Sequence, residues 1–302
     1  MDIKKYELFI DVAETGNFTK SAERIGYTQS GVSHLLKSLE NEVGFPLFIR
    51  SKKGVTLTQS GENLLPLVRE LLASNEKIEQ TIEEIKGYEI GKIYIGTFTS
   101  VSISWLPQII YEFEKKYPSI TISIKEGGTD EIEQWIDDHT IDIGFLSERH
   151  TKPMDFLPLY EDPLVAIVPL DHERAKDEYL SMQEIHEKPF IISTIGTDYD
   201  IHHALSDANI KPAIKYSCTD DHAIVSMVAN HLGISILPEL IVKDYGHEVA
   251  IKKLNPYYSR VLGIGYRSKE YLSPAANKFV DFAKEYILEN FVNREVRNGS
   301  SK

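Results

Sequence analysis

Residues 18–39 read FTKSAERIGYTQSGVSHLLKSL, with apolar side chains at helical spacing on either side of a break at Gly26-Tyr27. Before the break, Ala22 and Ile25 give a first helix its apolar face. After it, Thr28 is suited to accept hydrogen bonds from the free N–H groups that open a second helix. The buried side of that second helix carries four apolar residues: Val32, Leu35, Leu36 and Leu39. The stretch therefore predicts two short helices set at an angle, a helix-turn-helix.

The outward side of the second helix is small, polar and cationic, as base edges and phosphates require. It carries Gln29, Ser30, Ser33, His34 and Lys37. Residues near a recognition helix's N-terminus normally face the groove, so we expect Gln29, Ser30 and Ser33 at base edges and Lys37 at a backbone phosphate. Because Gln can form a bidentate pair with adenine, Gln29 is the best single candidate for reading sequence. The alternative is that Gln29 and Ser30 only cap the helix or contact phosphate.

The flanks of this stretch complete a small domain. Apolar residues from Tyr6 to Ala13 predict a supporting helix that ends near Thr15-Gly16, and residues 47–58 read as two short strands around a basic turn. Such a hairpin after a helix-turn-helix indicates a wing that contacts DNA, although a hairpin with a solvated basic tip remains open. Its candidate DNA-binding residues are Arg50, Lys52 and Lys53. Arg50 has a structural alternative, an ion pair with Glu40 or Glu42.

The composition limits the classes of protein to which this chain can belong. The 302 residues are 42% hydrophobic and 26% charged, typical of a globular chain with two or three domains. No apolar run is long enough for a membrane span and the N-terminus lacks the pattern of a signal peptide, so we expect a cytoplasmic protein without a membrane partner. Cys218 is the single cysteine, which excludes an intrachain disulfide and a Cys-x-x-Cys metal or redox site.

The charge is unevenly distributed. Net charge is −13, yet residues 1–60 hold eight Lys and Arg against seven Asp and Glu, or +1, which leaves −14 for the remainder. The acidic excess therefore lies outside the predicted DNA-binding domain. Since +1 is weak, we expect modest, salt-sensitive affinity for each domain, with dimerisation adding the rest.

Residues 59–86 predict one long helix, with Thr58 as its cap and Pro66 as the site of a local kink. Its apolar positions alternate four and three apart, which is the spacing of a heptad seam. The seam consists of Leu64, Val68, Leu71, Asn75, Ile78, Ile82 and Ile85. We expect it to pair two chains, with Asn75 fixing the register. A helix packed on its own domain is the alternative.

Beyond a hinge at Gly87 to Gly91, predicted strands and helices alternate to the C-terminus. Such alternation indicates βαβ units and a largely parallel sheet, arranged as two α/β lobes with a cleft. Expected elements include a helix over 100–117, strands over 164–168, 233–237 and 261–265, and a last helix over 273–291. The expected organisation is a DNA-binding domain over 1–58, a linker helix over 59–87 and a two-lobed domain over 91–302. Its first lobe takes 91–162 and 266–302, its second 163–265, and the polar tail from 293 is expected to be disordered.

The whole chain resembles the LysR-type transcriptional regulators. The resemblance is densest in residues 9–18, FIDVAETGNF, residues 18–39, and residues 39–50, LENEVGFPLFIR. It implies a winged helix-turn-helix, a pairing linker helix and a periplasmic-binding-protein-like effector domain. It also implies a homodimer or homotetramer on partly palindromic double-stranded promoter DNA, with RNA polymerase as a further partner. Gly31 stands where the family usually has Ala, which weakens the helix by about 1 kcal/mol, and His34 stands where Arg is frequent.

Effector ligands in α/β lobes bind where strand ends meet helix starts. Hydroxyl side chains occupy such positions in both lobes: Thr99, Ser100, Thr129, Ser193, Thr194 and Thr219. Each one is also a plausible helix cap; together they favour a small-molecule site. Four acids crowd the same predicted rim, which either serve as helix starts or indicate a cationic or zwitterionic effector: Asp198, Asp200, Asp220 and Asp221.

The sequence motifs give little support for an enzymatic function. Ser193, His202 and Asp198 do not sit in a Gly-x-Ser-x-Gly elbow, and the histidines lack metal-ligand spacing. We expect no catalysis, no metal and no cofactor. The competing functions are a solute-binding protein without a DNA role and a ligand-independent architectural DNA binder. The N-terminal helix-turn-helix opposes the first, and the second leaves the long α/β domain unexplained.

Overall fold

The computed structural model describes residues 2–51, 54–148, 151–194 and 198–292. The chain divides into two compact units, one of residues 1–90 with 137–140 and one of the remaining residues from 91. The first unit contains four helices and a hairpin. These elements are α1 Ile3–Thr15, α2 Phe18–Ile25, α3 Gln29–Val43, β1 Phe48–Ser51, β2 Gly54–Leu57 and α4 Gln59–Ile85.

Local sequence sets the ends of these helices. Asn17, Thr28 and Thr58 cap the starts of α2, α3 and α4 by accepting from backbone N–H groups with their side chains. Gly26 ends α2 in the left-handed conformation, at φ 71°, which a residue with a Cβ rarely adopts. The apolar faces then meet in one core, which includes Leu8, Phe9, Val12, Val32, Leu36, Leu39, Leu47, Phe48 and Val68.

The second unit is built on an eight-stranded mixed sheet and a separate two-stranded sheet. Its strands are β3 Gly91–Thr97, β4 Ile120–Glu126, β5 Ile143–Ser147, β6 Asp155–Pro169, β7 Tyr179–Ser181, β8 Pro189–Ser193, β9 Ala213–Cys218, β10 Ser235–Pro238, β11 Val249–Asn255 and β12 Ser259–Tyr266. Its α-helices are α5 Thr99–Ser104, α6 Leu106–Lys116, α7 Thr129–Asp137, α8 Asp198–Asp207, α9 Asp221–Ala229, α10 Glu239–Val242 and α11 Pro274–Ile287. Short 3₁₀ helices span Met182–Ile185, Lys243–Tyr245 and Lys269–Tyr271, and a π-helix spans Leu288–Val292.

The prediction of a largely parallel sheet is wrong for the central strands of the large sheet. The large sheet runs β4-β3-β5-β12-β6-β11-β7, with β10 paired to β6. Strands β3, β4 and β5 pair in parallel, as βαβ units require, but β12 is antiparallel to both β5 and β6, and β6 is antiparallel to β10 and β11. The two central strands are long crossovers between lobes rather than members of βαβ units.

Strands β6 and β12 join two separate hydrophobic cores. Leu159, Leu262 and Ile264 pack in the core of the first lobe, whereas Leu164 to Val168 pack in that of the second. The chain therefore passes from the first core to the second along β6 near Asp162. Along β12 the change comes before Leu262, not near Tyr266. The expected strand over 261–265 accordingly lies in the sheet of the first lobe, because its pairing partner there is β5.

The expected helix over 100–117 is also wrong as a single element. Helix α5 ends at Ser104 and α6 begins at Leu106, and Trp105 between them is fully buried in the first lobe's core. Pro107 lies in the first turn of α6, where a proline is tolerated, whereas inside a continuous helix it would remove a backbone hydrogen bond. Within the described ranges, every helix is too short or too polar to cross a membrane.

Candidate nucleic-acid interface and interlobe cleft

Helix α3 presents the polar face that its sequence predicts. Gln29, Ser30, His34 and Lys37 are exposed, while Ser33 is half-buried. The Thr28 hydroxyl accepts from the Gly31 N–H at 3.1 Å and lies 3.1 Å from the Ser30 hydroxyl. Ser30 is thus already engaged with the helix cap, which leaves Gln29 as the exposed amide at the start of the helix.

Arg50 does not make the expected ion pair with Glu40 or Glu42. Its Nη1 donates to the Ser33 hydroxyl at 3.1 Å, and its guanidinium lies 4.6 Å from the centre of the Phe18 ring. Glu40 instead accepts from the backbone N–H groups of Leu47 and Phe48 at 2.8 and 3.2 Å, and Glu42 pairs with Lys5. Arg50 therefore stands beside α3 as an exposed cation. Lys52 and Lys53 lie outside the described residues.

The hairpin of β1 and β2 is fixed to the helical core by its backbone. Val55 donates its N–H to the Gly16 carbonyl at 2.9 Å, and the Thr58 hydroxyl donates to the Pro46 carbonyl at 2.8 Å. A Cβ at Gly54 would lie 3.0 Å from the Gly16 oxygen, so the close approach favours glycine there. These contacts attach the described strands of the hairpin to the helical core.

The seam of α4 divides into two parts. Val68 is 2% exposed and Leu64 packs beside it in the DNA-binding domain's own core, so the prediction that Val68 contacts a partner chain is wrong. Contacts within the domain and contacts with a partner chain require the same helical spacing of apolar residues, so the sequence does not distinguish them. Leu71 and Asn75 are half-buried, and the Asn75 amide donates to Glu79 at 3.0 Å.

The later part of α4 exposes large apolar side chains. Ile78, Ile82 and Ile85 are 59%, 45% and 81% exposed, and Leu67, which the heptad spacing missed, is 61% exposed. Exposed isoleucines in a row on one helix are unusual for a monomeric surface. This stripe is the part of the seam that stays available to a second helix.

A buried ion pair lies where the two lobes join. Asp162 on β6 and Arg260 on β12 are neighbours across the strands, and both side chains are fully buried. One Asp162 oxygen accepts from Nε and Nη2 of Arg260 at 3.0 and 2.8 Å, and the other accepts from the Leu240 N–H at 3.0 Å. Nη1 of Arg260 has no hydrogen-bond partner among the described residues.

Two of the predicted effector residues belong to this buried polar region. The Ser100 hydroxyl accepts from Nη2 of Arg260 at 2.8 Å, and the Ser193 hydroxyl donates to Asp221 at 3.1 Å. Burial raises the pKa of the Asp221 carboxyl, while the Ser193 hydrogen bond and the charge of Arg260 lower it less. Asp220 caps α9 by accepting from the N–H groups of His222 and Ala223, so the helix-start interpretation holds for that acid.

A cavity of about 240 Å³ opens beside this region, between the end of β5, α8 and the crossover strands. Its walls are Ser147, Glu148, Leu164, Tyr199, Asp200, His203, Ala204, Tyr258, Ser259, Arg260 and Val261. The six predicted hydroxyl residues are not among these: Thr99 is half-buried, Ser100, Thr129 and Ser193 are buried, and Thr194 and Thr219 are exposed. The pairing of Arg260 with Asp162 could not be predicted from the sequence, because only the antiparallel pairing of two distant strands brings these residues together.

Comparisons with known proteins agree over nearly the whole chain. Residues 3–62 match the model of the bacterial regulatory helix-turn-helix protein, lysR family, and residues 86–287 match that of the LysR substrate binding domain. The HTH-type transcriptional regulator YvbU of Bacillus subtilis (strain 168) is 30% identical over 94% of this chain and 98% of its own length.

Solved structures show the same fold. A full-length OxyR variant from Pseudomonas aeruginosa aligns over 95% of each chain with a TM-score of 0.77 at 20% identity. The effector binding domain of QuiR, solved with shikimate, aligns over 67% of this chain and 99% of that domain, with a TM-score of 0.60 at 27% identity. The chain belongs to the LysR family and is a DNA-binding transcriptional regulator with a two-lobed, periplasmic-binding-like effector domain.

Proposed function

We propose that this regulator acts as a homodimer or homotetramer whose paired α3 helices read a two-fold related promoter site. The exposed stripe of Ile78, Ile82 and Ile85 supports pairing through α4, since it offers the apolar seam that a second helix would cover. Pairing also compensates for the weak basic charge of one DNA-binding domain. RNA polymerase is a further partner in this proposal, the cytoplasm is its location, and the chain has no catalytic role.

Within each DNA-binding domain, Gln29 reads base edges and Lys37 holds a phosphate. The assignment rests on their exposure and their places on α3, Gln29 in its first turn and Lys37 two turns later. Arg50 reaches the same face from the wing and positions Ser33 through their hydrogen bond. His34 is exposed on the same face and adds a further contact to DNA.

The effector domain binds a small molecule in the cleft between its lobes. The observation that carries this proposal is the cavity of about 240 Å³ at the crossover between the lobes, where β5, α8, β6 and β12 meet. Small-molecule sites are concave and combine apolar or aromatic walls with a few polar groups, as this cavity does with Leu164, Tyr199 and Asp200. The relation to QuiR, whose domain was solved with shikimate, agrees with an organic ligand of modest size.

Effector binding controls DNA binding through its preference for one arrangement of the molecule. A ligand shifts an equilibrium only by the difference in its affinity for the two states. The effector then changes the spacing or angle of the paired α3 helices on promoter DNA, and by reciprocity DNA changes the affinity for the effector.

A gel shift tests this proposal. The full chain is mixed with the DNA upstream of its own gene, at several salt concentrations, with and without fractions of a metabolite extract. We expect a sequence-selective shift whose mobility or midpoint changes with at least one fraction. A shift that no fraction alters would contradict effector control, and the lack of any selective shift would contradict regulation at this promoter.

A further inference from the structure

Strand β6 carries the chain between the lobes without a loop. Leu159 packs in the core of the first lobe and Leu164 in that of the second, and the residues between them pair with β12. Domain hinges are a few loop residues or residues at the ends of elements, because those positions can absorb large changes in φ and ψ. Residues inside a paired strand make such changes only by breaking the hydrogen bonds of the ladder. The crossover along β6 is therefore poorly suited to act as a hinge.

A buried ion pair joins the two strands at the crossover. Asp162 and Arg260 are partners across β6 and β12, and both side chains are fully buried. Separating such a pair leaves buried charges without partners, which strongly destabilises a protein. Nη2 of Arg260 also donates to the hydroxyl of Ser100 at 2.8 Å, and Ser100 belongs to α5 in the first lobe. A change of lobe angle that moves β6 or α5 away from Arg260 must break these bonds.

Helix α10 is held by both lobes. Leu240 packs in the core of the first lobe, whereas its neighbours Ile241 and Val242 pack in that of the second. The Leu240 N–H donates to Asp162 at 3.0 Å, and the Leu240 carbonyl accepts from the hydroxyl of Ser104 on α5 at 3.3 Å. Rotation of one lobe against the other would pull α10 out of one of the two cores. That movement would expose buried apolar surface to water, which is unfavourable.

A further hydrogen bond links the lobes across the cavity. The hydroxyl of Ser147, at the end of β5, donates to Asp200 of α8 at 3.3 Å, and both residues line the cavity. Strand β5 belongs to the first lobe and α8 to the second, since Phe145 and Ile201 pack in the respective cores. The lobes are thus bonded on the cavity side as well as at the crossover, with a cavity of about 240 Å³ already formed between them.

We propose that Asp162, Arg260 and α10 lock the two lobes at a single angle, so that the effector binds a preformed cavity and no lobe closure accompanies binding. Asp162 and Arg260 are then positioning residues, which act on the effector through the placement of the lobes. This lock goes beyond the proposed function and can be tested without an effector. With the lobe angle fixed, the change that reaches the paired α3 helices arises outside the junction of the lobes.

The distance between one spin label in each lobe of the full chain tests the lock. Labels are attached at Glu114→Cys on α6 and Ser226→Cys on α9, two exposed positions, after Cys218→Ser removes the native thiol. Labelled chains are diluted with unlabelled chain, so that pulsed electron resonance reports distances within one molecule. We expect one narrow distance that any metabolite fraction active in the gel shift moves by less than about 2 Å, the size above which binding rearranges domains. Two interlobe distances, or a larger shift, would overturn the lock.

Two double variants test whether the ion pair sets the lobe angle. Asp162→Leu with Arg260→Met removes both buried charges together, which proteins often tolerate. It should give a second interlobe distance more than about 2 Å from the first. Glu178→Leu with Lys253→Met removes an exposed pair of the second lobe and is the matched control, which should change nothing.

Thermal melting shows whether each variant folds. A folded Asp162→Leu, Arg260→Met chain with the same narrow distance as the control would overturn the role of the pair. If that chain does not fold, the distances in the chain with the intact pair decide. If no metabolite fraction alters the gel shift, the proposed effector control fails, while the interlobe distances still test the lock.

Discussion

At the scale of single residues, two side chains on α3 are expected to contact DNA differently. Gln29 is expected to contact base edges and Lys37 a backbone phosphate. Gln29 and Lys37 are both exposed, but only Gln29 lies in the first turn, where a recognition helix meets base edges. Gln29→Ala should lower affinity for the promoter site by about 1–3 kcal/mol and change binding to random DNA little. Fluorescence anisotropy with both DNAs measures this. Equal losses on the two DNAs would show that Gln29 reads no base.

Lys37→Ala is expected to behave differently. Losing one phosphate contact should weaken binding to specific and random DNA alike and reduce the slope of log affinity against log salt by about 1. Salt titrations of the variant and of the unaltered chain give that slope. A loss confined to the promoter sequence would contradict the phosphate role of Lys37.

Asp221 makes stability depend on pH. Its pKa is raised from the ordinary 3.8, mainly by burial, against the opposing effects of Ser193, Arg260 and His222. A carboxyl whose pKa is raised on folding contributes stability below the unfolded pKa and loses it as pH rises through the folded value. Asp221→Asn should therefore melt at a higher temperature than the unaltered chain at neutral pH, with a difference that shrinks toward pH 3.8. A constant difference across that range would show that Asp221 is not the titrating group.

At the scale of elements, helix α4 serves two purposes in different turns. Val68 is buried in the DNA-binding domain, so Val68→Ala should destabilise that domain by about 1–3 kcal/mol and leave the oligomeric state unchanged. Denaturant unfolding together with sedimentation separates the two effects. Dissociation of the oligomer by Val68→Ala without loss of stability would contradict this assignment.

Ile82 lies in the exposed part of the same helix. Ile82→Asp should shift the oligomer toward monomer, because a carboxylate in an apolar seam must be dehydrated, while the DNA-binding domain keeps its stability. Sedimentation velocity at micromolar concentrations measures the change. An unaltered oligomer would show that the stripe from Ile78 to Ile85 is not the pairing surface.

Sequence predicts elements well where local chemistry sets them. The caps at Thr28 and Thr58 and the left-handed Gly26 mark helix ends that can be identified from residue type alone. The break at Trp105 also has a local mark, Pro107 in the first turn of α6, because a proline is tolerated there but not inside a continuous helix. The two uses of the α4 seam, by contrast, are indistinguishable in sequence, since both require apolar residues at helical spacing.

At the scale of the whole molecule, the residues that sequence missed are those that long-range pairing brings together. Asp162 and Arg260 are 98 positions apart and meet only because β6 and β12 are antiparallel crossovers between lobes. The predicted hydroxyls at Ser100 and Ser193 do lie in this buried region, since strand ends and helix starts converge there, as general rules for α/β lobes anticipate. Resemblance to the family predicts the architecture, whereas the arrangement of charged residues at the cleft is seen only in the structure.

The chain carries a net charge of −13, which opposes binding to DNA. Its affinity for DNA is therefore the property that tests the account most directly. The affinity of the full-length protein is measured for its own upstream DNA and for scrambled DNA, at matched physiological salt. We predict a preference of about 10³-fold or more for the upstream DNA, as is usual for specific regulators. That preference should respond to the effector. Equal affinity for the two DNAs, with or without a metabolite extract, would contradict the account.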